Sequence, residues 1–196
     1  MSIEGRKLGI LLATLLVTAP AAAQAGPKAE AVFAGGCFWC TESDFDKIPG
    51  VLSTTSGYIG GKIAKPKYEQ VSAGGTGHIE AVKVVYDPKR VSYATLVTRF
   101  FRTIDPLDAG GQFCDRGYHY RSAIFVADAE QRRIASAEAA KVSAMLKKPV
   151  ATLLLPATAF YPAEAYHQDY YKKNPVRYRF YRTTCGRDAR LKAVWR

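Results

Sequence analysis

The stretch that most constrains this chain is Ala34-Gly35-Gly36-Cys37-Phe38-Trp39-Cys40-Thr41-Glu42. Ala31-Val32-Phe33-Ala34 is a short apolar run of strand type, and Gly35-Gly36 supplies the backbone freedom of a tight connection. From Cys37 onward, Phe38, Cys40 and Phe45 recur at roughly helical spacing, and Pro49-Gly50 closes the segment. A cysteine is thereby set at the first turn of a helix, where unpaired N–H groups and the positive dipole end favour an anion. The expectation is a depressed thiol pKa and a nucleophilic Cys37, with Phe38 and Trp39 as an apolar wall beside it.

Residues 1–25 read as a secretory signal. Arg6 and Lys7 form a basic start, residues 8–19 are apolar or small, and Ala23-Gln24-Ala25 fits a small-x-small cleavage site. Export to the periplasm or beyond the cytoplasm is the expectation, with residues 26–196 as one catalytic domain and no stable membrane span after cleavage. The formal charge of +11 falls to +10 on cleavage, because Arg6 and Lys7 leave together with Glu4. Most of that excess lies in residues 172–196, where nine Lys and Arg face Asp188 for a net +8. Such a tail is either a solvated flap whose aromatics pack on the domain or a nucleic-acid-binding stripe. An exported chain favours the first, so no nucleic-acid partner is expected.

The four cysteines are Cys37, Cys40, Cys114 and Cys185. A zinc site would require a second closely spaced pair, which Cys114 and Cys185 do not make, so no metal is expected. Cys37-x-x-Cys40 has the spacing of dithiol oxidoreductases, and inert burial is its alternative. Gly57-Tyr58-Ile59-Gly60-Gly61 reads as a glycine-rich loop. Ile79 to Tyr86 alternates as a strand that turns Glu80, Val82, Val84 and Tyr86 to one face. A carboxyl sharing a face with two valines is either paired or pushed toward its neutral, proton-donating form, so Glu80 is a general-acid candidate. Its alternative is a strand end reaching solvent.

Ser92 caps a helix with Leu96, Val97, Phe100, Phe101 and Ile104 inward. Asp128 and Gln131 form a capping-box pattern ahead of a helix with Ile134, Ala135, Val142 and Met145 inward. Between them, residues 108–122 form a long polar and aromatic loop of functional type. Strands and helices alternate as in a two-layer sandwich.

Gly36-Cys37-Phe38-Trp39, Gly57-Tyr58-x-Gly60-Gly61, Gly77-His78-x-Glu80-Ala81-Val82 and Tyr120-Arg121-Ser122-Ala123-Ile124 together resemble the methionine sulfoxide reductase A family. Tyr161-x-Ala163-Glu164, His167-Gln168 and Lys173-Asn174-Pro175 extend the likeness, which runs from about residue 32 to 175. The resemblance implies reduction of the S epimer of methionine sulfoxide, free or in proteins. It places Cys37 as the catalytic thiol, Phe38 and Trp39 on the substrate's S-methyl group, and Glu80 as the acid that protonates the sulfoxide oxygen. Tyr58 and Tyr120 match hydroxyls aimed at that oxygen, and Asp115 a polar residue that orders the site. No cofactor is implied, electrons coming from thioredoxin or a thioredoxin-like protein, and the enzyme would be a monomer.

The chain departs from the family's commonest pattern at two positions: Cys40 stands where glycine often follows the tryptophan, and His119 where glutamine is usual before Tyr120. The family's resolving cysteine usually lies in a C-terminal segment, which points to Cys185, with Cys40 as the alternative. Cys40 and Cys114 are otherwise small core residues or a structural pair. With the alternation above, the expected fold is α+β: a mixed sheet flanked by helices, a ferredoxin-like core and a long irregular C-terminal tail. A general dithiol oxidoreductase using Cys37 and Cys40 alone, a tail-dependent binding module and a structural secreted domain are the competing classes.

Overall fold

The structure, a computed structural model, describes Met1 and residues 27–196. The expected signal segment, residues 1–25, lies outside the described residues apart from Met1. Among the described residues, no helix is long and apolar enough to cross a membrane.

The chain runs through β1 (Ala29–Gly35), α1 (Phe38–Phe45), β2 (Val51–Ile59), α2 (Tyr68–Ser72), β3 (Ile79–Tyr86) and α3 (Tyr93–Phe101). Next come the short strands β4 (Gly111–Gln112) and β5 (Asp115–Arg116), then β6 (Ser122–Val126) and α4 (Ala129–Leu146). It finishes with β7 (Leu153–Pro156), β8 (Tyr161–Pro162), α5 (Tyr170–Lys173), α6 (Pro175–Thr184) and α7 (Arg187–Val194). The main sheet has the order β7-β6-β1-β3-β2-β8. Its middle, β6-β1-β3-β2, is antiparallel throughout and has the ferredoxin-like order, while β7 adds in parallel to β6.

Alternation along β3 divides the core as its pattern requires. Val82 and Val84 face α1, α3 and α4, packing with Phe33, Phe38, Phe45, Leu96, Phe100 and Ala139. Ile79 and Ala81 face the other way, into a smaller cluster with Ala34, Phe125 and Phe160. The α3 cap forms as expected, Ser92 Oγ accepting the Thr95 N–H at 3.1 Å. So does that of α4, where Asp128 Oδ1 accepts the Gln131 N–H at 2.7 Å. Met145 instead points outward, 57% exposed, because the inward stripe of α4 runs through Ala135, Ala139 and Val142.

Two further expectations are corrected. Gly57-Tyr58-Ile59 is the end of β2 rather than a loop, and only Gly60-Gly61 turns away. Gly57 is required there by close approach: a Cβ would collide with the Tyr161 carbonyl and the Phe160 ring. The C-terminal segment is helical rather than irregular, and several of its basic residues hold it down. Arg182 pairs with Asp44 at 3.0 Å and Asp188 at 2.7 Å, and Arg190 with Asp105 at 2.6 Å. Buried Arg187 donates to the carbonyls of Gly35 (3.1 Å) and Thr103 (2.7 Å) and lies over the Phe113 ring.

Candidate active site

Cys37 is the N-cap of α1, reached through Gly36 at φ +83°. A Cβ on Gly36 would sit 2.6 Å from that of Gln112, so only glycine carries the chain from β1 into the helix here. Gln112 is itself fixed by a reciprocal pair of 2.8 Å hydrogen bonds with the Asp105 backbone. Cys37 thus opens onto a small cavity of about 70 Å³, lined with Phe38, Trp39, Tyr68, Glu80, Asp115, Tyr120 and Tyr181.

Glu80 is 2% exposed and sits on the helix-facing side of β3, as its alternation predicts. Its Oε2 accepts the Phe38 N–H at 3.1 Å, one of the donors that a helix start leaves without an intrahelical partner. Burial pushes the carboxyl pKa up to about 8, against the lowering effect of that hydrogen bond. Near neutrality Glu80 is therefore protonated, with a hydroxyl to donate into the cavity.

The cysteine electrostatics differ from expectation. Cys37 is pushed well above the ordinary thiol value, first by burial and then by Cys40, Glu80 and Asp115. The pull of a helix start, about 0.3–1 kcal/mol in ordinary cases, is too weak to offset desolvation in so closed a pocket. Cys40, on the same turn, is lowered to about 7, chiefly by its interaction with Cys37 and then by Arg187 and Arg182. The two thiols are free and lie on one turn, so each shifts the titration of the other.

Cys114 and Cys185 are joined in a disulfide with Cα atoms 5.0 Å apart. The pairing of Cys40 with Cys114 is thereby excluded in this state, and Cys40 rather than Cys185 is the free thiol beside Cys37. Among the described residues, the one cluster spaced for metal ligation is Cys114, Asp115 and Cys185, and its two sulfurs are bonded to each other.

Phe38, Trp39, Tyr120 and Asp115 line the cavity, and Tyr58 does not. The Tyr58 hydroxyl donates to Glu164 Oε2 at 2.9 Å, behind the cavity wall. The same carboxylate accepts the Tyr68 N–H through Oε1 at 3.0 Å and so sets α2 with Tyr68 in the cavity next to Tyr120. Sequence reasoning missed Tyr68, and the available signal was Pro66 just ahead of a tyrosine-led turn. It also missed His167, whose Nδ1 accepts the Trp39 indole N–H at 3.0 Å. Burial lowers the His167 pKa and keeps the ring neutral for that role. Tyr170 stacks on Trp39 at 3.7 Å and 6°.

The arrangement brings a thiol, a neutral carboxylic acid and phenol hydroxyls to one apolar-walled pocket. That set can attack an electrophilic centre while protonating the oxygen attached to it. Comparison with known proteins gives the same direction. The family profile described as "Peptide methionine sulfoxide reductase" matches residues 29–196. Relatives named peptide methionine sulfoxide reductase MsrA 2 come from Rhizobium meliloti and Caulobacter vibrioides. The first is 53% identical over 88% of this chain and 86% of its own length, the second 52% identical over 97% and 98%. Among solved structures, reduced Mxr1 from Saccharomyces cerevisiae has a TM-score of 0.73 and 30% identity, covering 76% of this chain and 87% of its own. Methionine sulfoxide reductase A of Corynebacterium diphtheriae has a TM-score of 0.68 and 35% identity, covering 76% of each chain.

Proposed function

The chain belongs to the peptide methionine sulfoxide reductase family, and from that membership and its cavity we propose that it reduces methionine S-sulfoxide, free or in proteins, to methionine. The observation that carries the reading is a neutral acid, Glu80, in one small cavity with a helix-borne thiol, Cys37. A sulfoxide sulfur accepts a nucleophile only once its oxygen is protonated or strongly hydrogen-bonded. Glu80 supplies the proton, Tyr68 and Tyr120 donate to the same oxygen, and Phe38 and Trp39 take the S-methyl group.

Cys37 attacks as its thiolate, the nucleophilic form of a thiol. Attack forms an S–S bond from Cys37 to the substrate sulfur. The oxygen, carrying the proton from Glu80, then passes as hydroxyl to the Cys37 sulfur as the S–O and S–S bonds break, releasing methionine and leaving Cys37 as a sulfenic acid. The Cys40 thiol then displaces water to form a Cys37–Cys40 disulfide, and a dithiol donor reduces it by exchange. Cys40 is favoured over Cys185 as resolver because it is the free thiol on the same turn, whereas the Cys185 sulfur is already bonded. The protein is exported, acts as a monomer without a bound cofactor, and takes electrons from a thioredoxin-like protein outside the cytoplasm.

The test is turnover on separated S and R epimers with a dithiol reductant. Wild type should consume the S epimer alone and Cys37→Ser neither. Turnover of insulin disulfides without either sulfoxide would instead support a general dithiol oxidoreductase.

A further inference from the structure

Tyr181 is the one wall of the cavity contributed by the C-terminal helices, and the mechanism above leaves it without a role. Its ring meets Trp39 edge-on, with centroids 5.8 Å apart at 80°. Its hydroxyl donates to Asp115 Oδ2, and the side chain lines the same small cavity as Cys37.

The surroundings hold that side chain in place. The Cys185 N–H closes α6 on the Tyr181 carbonyl at 2.9 Å. The Cys114–Cys185 disulfide ties this helix end to the residue immediately before Asp115. Hydrogen bond and disulfide thus close a ring in which Tyr181 is bound to the active-site loop at its tip and through its backbone. Arg182, the next residue, is salt-bridged to Asp44 on α1, so α6 is fixed to the helix that carries Cys37 as well.

We propose that Tyr181 is a catalytic residue of the sulfoxide site, donating its hydroxyl to the Cys37 sulfur when that sulfur becomes an anion, and that the Cys114–Cys185 disulfide is the strut that keeps it there. The inference rests on the reductase reading and adds a residue to it. A thiolate formed inside a closed apolar cavity has little water to solvate it, and a fixed donor takes the place of water. In the resting state the single phenol proton goes to Asp115. Rotation about the Tyr181 C–O bond redirects it to the sulfur without moving the ring. Glu80, Tyr68 and Tyr120 serve the oxygen side of the reaction, and Tyr181 serves the sulfur side. The ring itself shuts the cavity against Trp39.

The experiment compares wild type with Tyr181→Phe, Tyr181→Ala and the double variant Cys114→Ser/Cys185→Ser. The readouts are kcat and KM on methionine S-sulfoxide and the pH profile of Cys37 alkylation by iodoacetamide, read by mass spectrometry that separates Cys37 from Cys40. Tyr181→Phe keeps the ring and should fold. Its kcat should fall by about 10²-fold, the loss typical of one preorganised donor, with KM within about twofold and the alkylation profile displaced to higher pH. Tyr181→Ala should raise KM as well, because the wall is gone. The double serine variant should show a raised KM and the same direction of displacement of the Cys37 alkylation profile, to higher pH, because the donor is no longer held in place.

Unchanged kcat and an unchanged alkylation profile in Tyr181→Phe would overturn the hydroxyl's role. Wild-type constants in the double serine variant would overturn the strut. If wild type itself leaves the S epimer untouched, the reductase reading fails, while the alkylation profile still reports whether Tyr181 acts on Cys37.

Discussion

Glu80 accepts the backbone N–H of Phe38 at 3.1 Å, so the acid of the cavity also caps the helix that presents its nucleophile. Acid and thiol are held in register by the chain's own geometry: β3 places one, the turn out of β1 places the other, and a single hydrogen bond joins them.

Glu80→Gln keeps an acceptor for the Phe38 N–H and removes the transferable proton. Its kcat on the S epimer should drop by about 10²–10⁴ with KM little changed, as expected for loss of a general acid. Steady-state kinetics with a saturating dithiol measures this. A turnover within a few-fold of wild type would remove Glu80 from the mechanism.

The same carboxyl gives a signed pH dependence. Its folded pKa of about 8 lies above the usual carboxyl value of 4.5. The associated stability is therefore complete below the unfolded pKa and is lost as pH rises through the folded one. Wild type should lose melting temperature between pH 5 and 9, and Glu80→Gln should lose less. Glu42, raised to about 7 by burial, contributes to the slope in both proteins, so the difference between them isolates Glu80. Activity should fall on the alkaline side, as the acid ionises above about pH 8.

The two tyrosines joined through Glu164 separate chemistry from support. Tyr68→Phe removes a donor from the cavity and should lower kcat by roughly tenfold or more. Tyr58→Phe leaves the cavity intact and strips Glu164 of one donor, which should cost about 1 kcal/mol of stability in chemical denaturation with kcat nearly unchanged. The reverse ordering of the two kcat values would contradict the placement of Tyr58 behind the wall.

Resolution should leave a mappable bond. Protein carrying the Cys114–Cys185 disulfide and treated with one equivalent of S-sulfoxide, then digested without reductant, should contain Cys37 linked to Cys40. A Cys37–Cys185 linkage would return the resolving role to the C-terminal segment.

Much of this site was legible in the sequence because short-range rules govern it. Period-two alternation fixed the side of Glu80, and Gly35-Gly36 ahead of an amphipathic run placed Cys37 at a helix start. What failed depended on contacts between distant segments. Tyr58 and Tyr68 lie ten positions apart, and only Glu164, far along the chain, decides which hydroxyl reaches the cavity. The basic C-terminal run looked irregular because its helices depend on acidic partners such as Asp44 and Asp105 elsewhere in the fold. Cys114 and Cys185, 71 residues apart, carry no spacing signal for their bond. The Cys37 pKa was misjudged because a helix-start argument sees the local dipole and not the walls that desolvate the sulfur.

The most direct measurement is a single turnover of Cys40→Ser on methionine S-sulfoxide, without reductant and with dimedone present. The account predicts one methionine per protein and a dimedone adduct on Cys37, the sulfenic acid having lost its resolver. No methionine, or an adduct on any other residue, would contradict it.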